Sequence, residues 1–130
     1  VAIASIIALR PRVLVLDEPT AELDPASSLS VFRLLRDYAR DHGTTVVVVE
    51  QKIALVADFA DQMVIVDDGR IRFDGTPDEV LAHSAELLEI GVNCPRSTSL
   101  VNRLCAAGVY DGPSVRNVPG AVDACLEVLA

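Results

Sequence analysis

The stretch Val13-Leu14-Val15-Leu16-Asp17-Glu18-Pro19-Thr20-Ala21-Glu22-Leu23-Asp24-Pro25 decides how this 130-residue chain is read. Four consecutive apolar residues, two of them β-branched, form a run too short for a helix. Such a run suits a central strand of a parallel sheet, covered on both faces. It delivers two adjacent carboxylates, Asp17 and Glu18, to the strand's C-terminal end, where open α/β sheets bind their ligands. Period-two alternation points the two acids to different sides. One can then serve a metal ion while the other faces a second reactant, a division that suits phosphoryl transfer. A pair of acids capping a strand-to-loop turn is the plainer reading of the same residues, and short motifs produce many false matches. The continuation therefore matters.

Upstream, Val1–Leu9 reads as a buried helix end that opens without a cap. Asp24-Pro25 reads as an N-cap followed by a first helical proline, starting a helix to about Asp41 that carries Leu29, Phe32, Leu35 and Tyr38 near one face. His42-Gly43 ends it. Thr44–Val49 is a second buried strand, Ile53–Ala60 a short helix and Gln62–Val66 a third strand. Asp68-Gly69 is a hairpin turn leading into Arg70–Asp74. Thr76 and Glu79 have capping-box spacing, with Pro77 at the first helical position. Strands and helices thus alternate as in a parallel, doubly wound sheet. From Val92 to Ala130 no strand-like run remains. Glu86–Ile90, Ser97–Ala107 and Ala121–Leu129 read as helices, with Ser97 or Thr98 as a possible N-cap and Leu100, Val101 and Leu104 as core contacts. The division expected is a residue 1–91 α/β part and a residue 92–130 helical appendage.

Composition narrows the function. A net charge of −8 and a pI near 4.5 leave no basic stripe to neutralise phosphates, so a nucleic-acid partner is not expected. A hydrophobic fraction of 51% and a mean hydropathy of +0.38 are rich for a soluble protein and leave room for an apolar surface that meets a neighbour. Val1–Leu9, closed by Arg10, is too short to span a membrane and lacks the flanks of a signal peptide. The three cysteines, Cys94, Cys105 and Cys125, match no metal spacing and read as small hydrophobes. His42 suits a helix C-terminus, and His83 sits near another helix end. Neither has a visible partner for catalysis. Arg33, Arg36, Asp37, Arg40 and Asp41 read as a solvated helix face.

Leu16-Asp17-Glu18-Pro19-Thr20 followed by Leu23-Asp24 resembles the Walker B segment and D-loop of ABC ATPases, and the likeness extends over about Val1–Ile90. Val1–Arg12 resembles the helix after the family's LSGGQ signature, Thr44–Glu50 the strand before its switch histidine, and Asp67–Val80 its hairpin and following helix. The fold implied is a partial P-loop NTPase: a parallel sheet with flanking helices and a small helical C-terminal appendage. The resemblance implies that Asp17 acts on Mg²⁺ bound to ATP, that Glu18 is the catalytic glutamate, and that Leu23 and Asp24 cross the interface to a second ATPase subunit. It further implies transmembrane transporter subunits as partners and a place on the cytoplasmic face of the membrane. A similar DEPT segment occurs in DNA-repair relatives. Leu23-Asp24-Pro25 favours the transporter branch.

Three departures qualify this. The switch-histidine position holds Gln51, which donates amide hydrogen bonds but carries no positive charge. Hydrolysis is expected to be weakened unless Gln51 substitutes adequately or Lys52 compensates. The sequence contains no G-x-x-x-x-G-K-[ST] and no LSGGQ. The expectation is a C-terminal part of a longer subunit that uses ATP and Mg²⁺ only when intact; a non-hydrolytic interaction module or a gene remnant are the alternatives. Finally, Gly91-Val92, Pro95, Thr98, Leu100, Leu104 and Gly108 before a last helix resemble the C-terminal region of energy-coupling-factor ATPases. That likeness implies import of a vitamin or metal ion and a tail that helps two ATPase subunits pair.

Overall fold

The computed structural model describes residues 2–129; the expectations placed on Val1 and Ala130 lie outside the described residues. The chain forms two compact units, residues 1–55 and 56–130.

In the first unit, helix α1 (Ala2–Ile7) leads to strand β1 (Val13–Asp17). Helix α2 (Pro25–His42) follows, then β2 (Thr45–Val49). The strands pair in parallel with Val13 opposite Thr45 and Asp17 opposite Val49, so odd-numbered residues of both share one face. The even-numbered face is the core. Leu14 and Leu16 pack with Leu35 of α2, joined by Ile3, Ile7, Val31, Val46 and Val48. Tyr38 and Phe32 extend the buried face of α2.

The opposite face corrects the expectation of strands covered on both sides. Val13 is 56% exposed and Val15 65%, and Val47 and Val49 are exposed beside them. The reason is geometric. Among the described residues of this unit, α1 and α2 cover one side of the pair, and a strand's alternate side chains cannot share it.

Helix α2 begins and ends where the sequence signals it. Asp24 accepts from the amides of Ala26 (3.0 Å) and Ser27 (3.1 Å). Gly43 closes the helix at φ +63° and donates to Ala39, a left-handed C-cap that a residue with a Cβ adopts reluctantly. One position differs. Ser28 takes the buried place beside Phe32, and Leu29 is half-buried.

Helix α3 (Ile53–Phe59) runs from the first unit into the second. The second unit continues with β3 (Met63–Asp67) and β4 (Arg70–Gly75), paired antiparallel. Asp68 and Gly69 both have positive φ, 47° and 71°, as a two-residue type I′ hairpin requires. The parallel part of the fold is therefore β1 and β2, and β3 with β4 forms the hairpin read from Asp68-Gly69. Helix α4 (Pro77–Ala82) opens with the full capping box of Thr76 and Glu79. Helix α5 (Ser84–Glu89) follows directly, and Asn102 donates to the carbonyls of Leu81 (2.7 Å) and Ala82 (3.3 Å) across the break.

Helices α6 (Arg96–Ala106) and α7 (Val118–Leu129) enclose Val101, Tyr110, Val115, Ala121 and Ala124, with Leu104 and Val128 at the margin. Neither Ser97 nor Thr98 caps α6. Its N-cap is Pro95, without a side-chain bond, and the fully buried Thr98 hydroxyl donates to the Val115 carbonyl at 2.7 Å. A hydroxyl that must be satisfied inside a core is better used joining two segments than capping a solvated end. Val101 is buried and Leu104 packs at the margin of this core, whereas Leu100 is exposed.

Candidate functional site

The parallel register of β1 and β2 builds the site. Because Asp17 lies opposite Val49, the residues that leave β1 and those that leave β2 meet at the same end of the sheet. Asp17 ends β1 on its exposed face. Strand alternation stops there, because Glu18 turns into the left-handed region at φ +43°. This region is uncommon for a residue with a side chain and concentrates at functional positions. The Glu18 N–H still reaches the Val49 carbonyl, at 2.8 Å, so the turn is pinned to β2.

Gln51 completes the pair. Its side-chain amide donates to the Glu18 carboxylate at 2.5 Å. Glu18 and Gln51 are 33 positions apart in sequence, and the fold brings them into direct contact. Asp17 stands beside them on the strand end. No group of three His, Cys, Asp or Glu among the described residues forms a cage for a metal ion. A single exposed carboxylate fits Mg²⁺ of the kind that keeps several waters and takes its remaining ligands from phosphate.

Leu23 and Asp24 lie further along the loop. Leu23 is exposed. Asp24 serves structurally as the α2 cap, and its carboxyl is held below the usual range, first by the Ser27 hydroxyl at 2.5 Å and then by the backbone amides. The structure brings together Asp17, Glu18 and Gln51 at the strand ends and places Leu23 and Asp24 on the adjoining loop.

Thr20, Glu50 and Lys52 surround the same loop, and the first two have no role assigned by the sequence. Thr20, fully buried, donates its hydroxyl to Glu50 at 2.9 Å. Lys52, weighed above as a substitute for a missing charge, instead donates to the carbonyl of Thr20 (2.6 Å), the carbonyl of Leu23 (3.3 Å) and the hydroxyl of Ser28 (2.9 Å). The available signal was position alone: Glu50 and Lys52 flank Gln51 at the end of a strand parallel to β1.

The two histidines make local contacts. His42 stacks on Tyr38 with ring centroids 4.4 Å apart and bonds the Tyr38 carbonyl at 3.1 Å. His83 meets Glu86 at 2.9 Å on the surface. Cys94, Cys105 and Cys125 are free thiols, and burial pushes the Cys94 thiol up.

No protein-family model matches the chain, whereas individual relatives match it well. The chain is 41% identical over 130 residues to an energy-coupling factor transporter ATP-binding protein, EcfA2, of Symbiobacterium thermophilum, covering all of this chain and 45% of that protein. It is 40% identical over 114 residues to EcfA1 of Caldanaerobacter subterraneus, covering 88% of this chain and 40% of the relative. Among solved structures, CbiO1 of Clostridium perfringens, described as part of the ABC transporter complex CbiONQ, superposes with a TM-score of 0.59 at 30% identity, over 81% of this chain and 40% of that one. UvrA2 of Deinococcus radiodurans superposes at 0.52 and 31% identity, over 62% of this chain and 10% of that one. The parallel strands, the strand-end carboxylates and these likenesses place the chain among the ABC ATPases. Within that class, it belongs with the ATP-binding proteins of energy-coupling-factor transporters. The chain spans less than half the length of the relatives it matches.

Proposed function

We propose that this chain supplies the hydrolysis end of an ATP-binding subunit that powers import of an ion or vitamin across a membrane. The observation that carries the reading is the contact of Gln51 with Glu18 beside Asp17, at the C-terminal end of a parallel strand pair. Asp17 would hold Mg²⁺ on the ATP phosphates, where the ion would neutralise charge on the transferring group. Glu18 would orient and polarise the attacking water. In the structure Gln51 already holds the Glu18 carboxylate. An uncharged amide supplies less stabilisation to a developing negative charge than an imidazolium does, so hydrolysis here is slower than with histidine.

Leu23 and Asp24 would face a second ATPase subunit, identical or different, and transmembrane subunits would dock on the pair. The subunit would then lie peripherally at the cytoplasmic face. No helix among the described residues is long and apolar enough to cross a membrane. Residues 92–130 would form a functional appendage to residues 1–91. Leu100, Val118, Val122 and Leu126 expose apolar surface along its two helices, which supports a role in subunit pairing. ATP use belongs to the intact subunit, since the 130 residues contain no phosphate-binding loop motif.

The test is ATP hydrolysis by the intact subunit assembled with its ATPase partner. Glu18→Gln is expected to lower phosphate release by at least about 100-fold while ATP still binds, and Gln51→His to raise it. Undiminished hydrolysis by Glu18→Gln would overturn the assignment.

A further inference from the structure

Glu50, Gln51 and Lys52 leave β2 in succession, and each turns back onto the segment that leaves β1. Glu50 accepts from Thr20, Gln51 donates to Glu18, and Lys52 donates to Thr20, Leu23 and Ser28. An ammonium has three N–H donors and no acceptor. All three Lys52 donors are therefore engaged by residues 20–28, and none is left for a phosphate. The partners are well chosen for rigidity. Thr20 and Ser28 are fully buried, the Thr20 carbonyl also accepts from the Leu23 N–H at 3.1 Å, and the Ala21 N–H donates to the Glu18 carbonyl at 3.2 Å. The turn itself has few apolar anchors, because Ala21, Glu22, Leu23 and Asp24 are all exposed.

We propose that Lys52 is the positioning residue of the loop Pro19–Asp24: its ammonium fixes that loop from β2, and through it sets the geometry in which Leu23 and Asp24 meet the second subunit. The inference rests on the reading of Leu23 and Asp24 given above, and it gives Lys52 a role that the resemblance does not imply. With its three donors engaged by Thr20, Leu23 and Ser28, Lys52 acts through the loop. It makes the loop's shape depend on the strand end that also carries Gln51, so the hydrolysis pair and the intersubunit loop share one anchor.

The experiment uses the intact subunit paired with its ATPase partner, with Lys52→Met, Lys52→Arg and Ser28→Ala variants. Steady-state hydrolysis is measured against ATP concentration, and amide hydrogen exchange is followed across residues 18–30. Lys52→Met is expected to lower kcat roughly tenfold or more, the scale of a misplaced group remote from the reacting atoms. KM for ATP should stay within about twofold, because binding in the ground state is untouched. The Ala21 and Leu23 amides should exchange faster while those of α2 do not. Lys52→Arg should restore most of both readouts, and Ser28→Ala should change them in the same direction but less.

Wild-type kcat and exchange in Lys52→Met would overturn the proposal. So would a KM that rises in step with the lost kcat/KM, which would mark Lys52 as a nucleotide contact. If Lys52→Met does not fold, unchanged Leu23 exchange in Ser28→Ala overturns it instead. A wild-type subunit that hydrolyses no ATP would refute the function proposed above, while the exchange pattern would still decide the role of Lys52.

Discussion

The loop after β1 and the C-terminal helices are held by opposite means. From Glu18 to Asp24 the chain buries Thr20 and little else, and its shape comes from hydrogen bonds to Glu50, Gln51 and Lys52 and from the Asp24 cap. Helices α6 and α7 instead gather Val101, Tyr110, Val115, Ala121 and Ala124 into a core, with one charged clamp nearby. In that clamp Arg116 grips both oxygens of Asp78, with Nε–Oδ1 at 2.6 Å, and reaches the Ala57 carbonyl at 2.6 Å. On the function proposed above, the loop offers polar groups to another molecule and cannot bury itself, so its order is lent by a neighbouring strand. A segment whose task is to stay folded buries its own side chains. The two should fail differently.

The largest effect is expected in the helical core. Val101 is 1% exposed, and Val101→Asp would place an unpaired carboxylate among apolar side chains. Loss of apolar burial and the desolvation of the carboxyl together cost on the order of 3–5 kcal/mol. Urea unfolding should show a midpoint far below that of the parent, with the loss concentrated in the second unit. Exchange at Ala21 and Leu23 should remain slow as long as the first unit stays folded. A drop at both sites together would show that the two anchoring schemes are one.

Much of this contrast was open to sequence reading, and what escaped has a physical cause. Asp24-Pro25, Gly43, Asp68-Gly69 and Thr76 with Glu79 are local signals, since each acts on its own backbone within a few residues, and every one marks an element boundary in the structure. Glu18 is legible as a strand-end carboxylate and Gln51 through resemblance, and the parallel register makes them touch. The Lys52 contacts span 24 to 32 positions in sequence, and two of their three acceptors are backbone carbonyls, which every residue possesses. No residue pattern can announce them. The two-sided burial read for Val13–Leu16 failed for a related reason. An apolar run reports what a strand can tolerate on each face, while the covering layer must come from elsewhere in the molecule.

A smaller effect is expected at the charged clamp. Arg116 holds the Asp78 carboxyl below the usual range through its hydrogen bonds first, with the charge attraction behind them. Folding thus favours the ionised form. The stabilisation is complete above the ordinary aspartate pKa of about 3.9 and is lost as pH falls through the lower folded value. Both side chains are partly solvated, so loss of the ion pair in Arg116→Met should cost less than about 1 kcal/mol at neutral pH after screening. The diagnostic is the pH dependence. Thermal midpoints measured from pH 5 downward should fall less steeply in Arg116→Met than in the parent. Parallel curves would show that Asp78 gains nothing from the clamp.

The smallest effect separates cap from charge in the loop itself. The Asp24 carboxyl is depressed by the Ser27 hydroxyl and by the amides at the start of α2, so the ionised cap is the form that folding favours. Its contribution should be full above the ordinary aspartate range and fade as acid protonates it. Asparagine caps a helix about as well as aspartate but has no titrating proton. Asp24→Asn should leave α2 and its neutral-pH stability almost unchanged, while removing that part of the acid sensitivity. In the intact subunit, under the pairing proposed above, the same variant asks a second question. If Asp24 only caps α2, kcat and cooperativity in ATP will be unaffected. If its charge is also read by the second subunit, hydrolysis will fall although the fold does not, and the loop will have two functions in one carboxylate where the helical core has only one in each side chain.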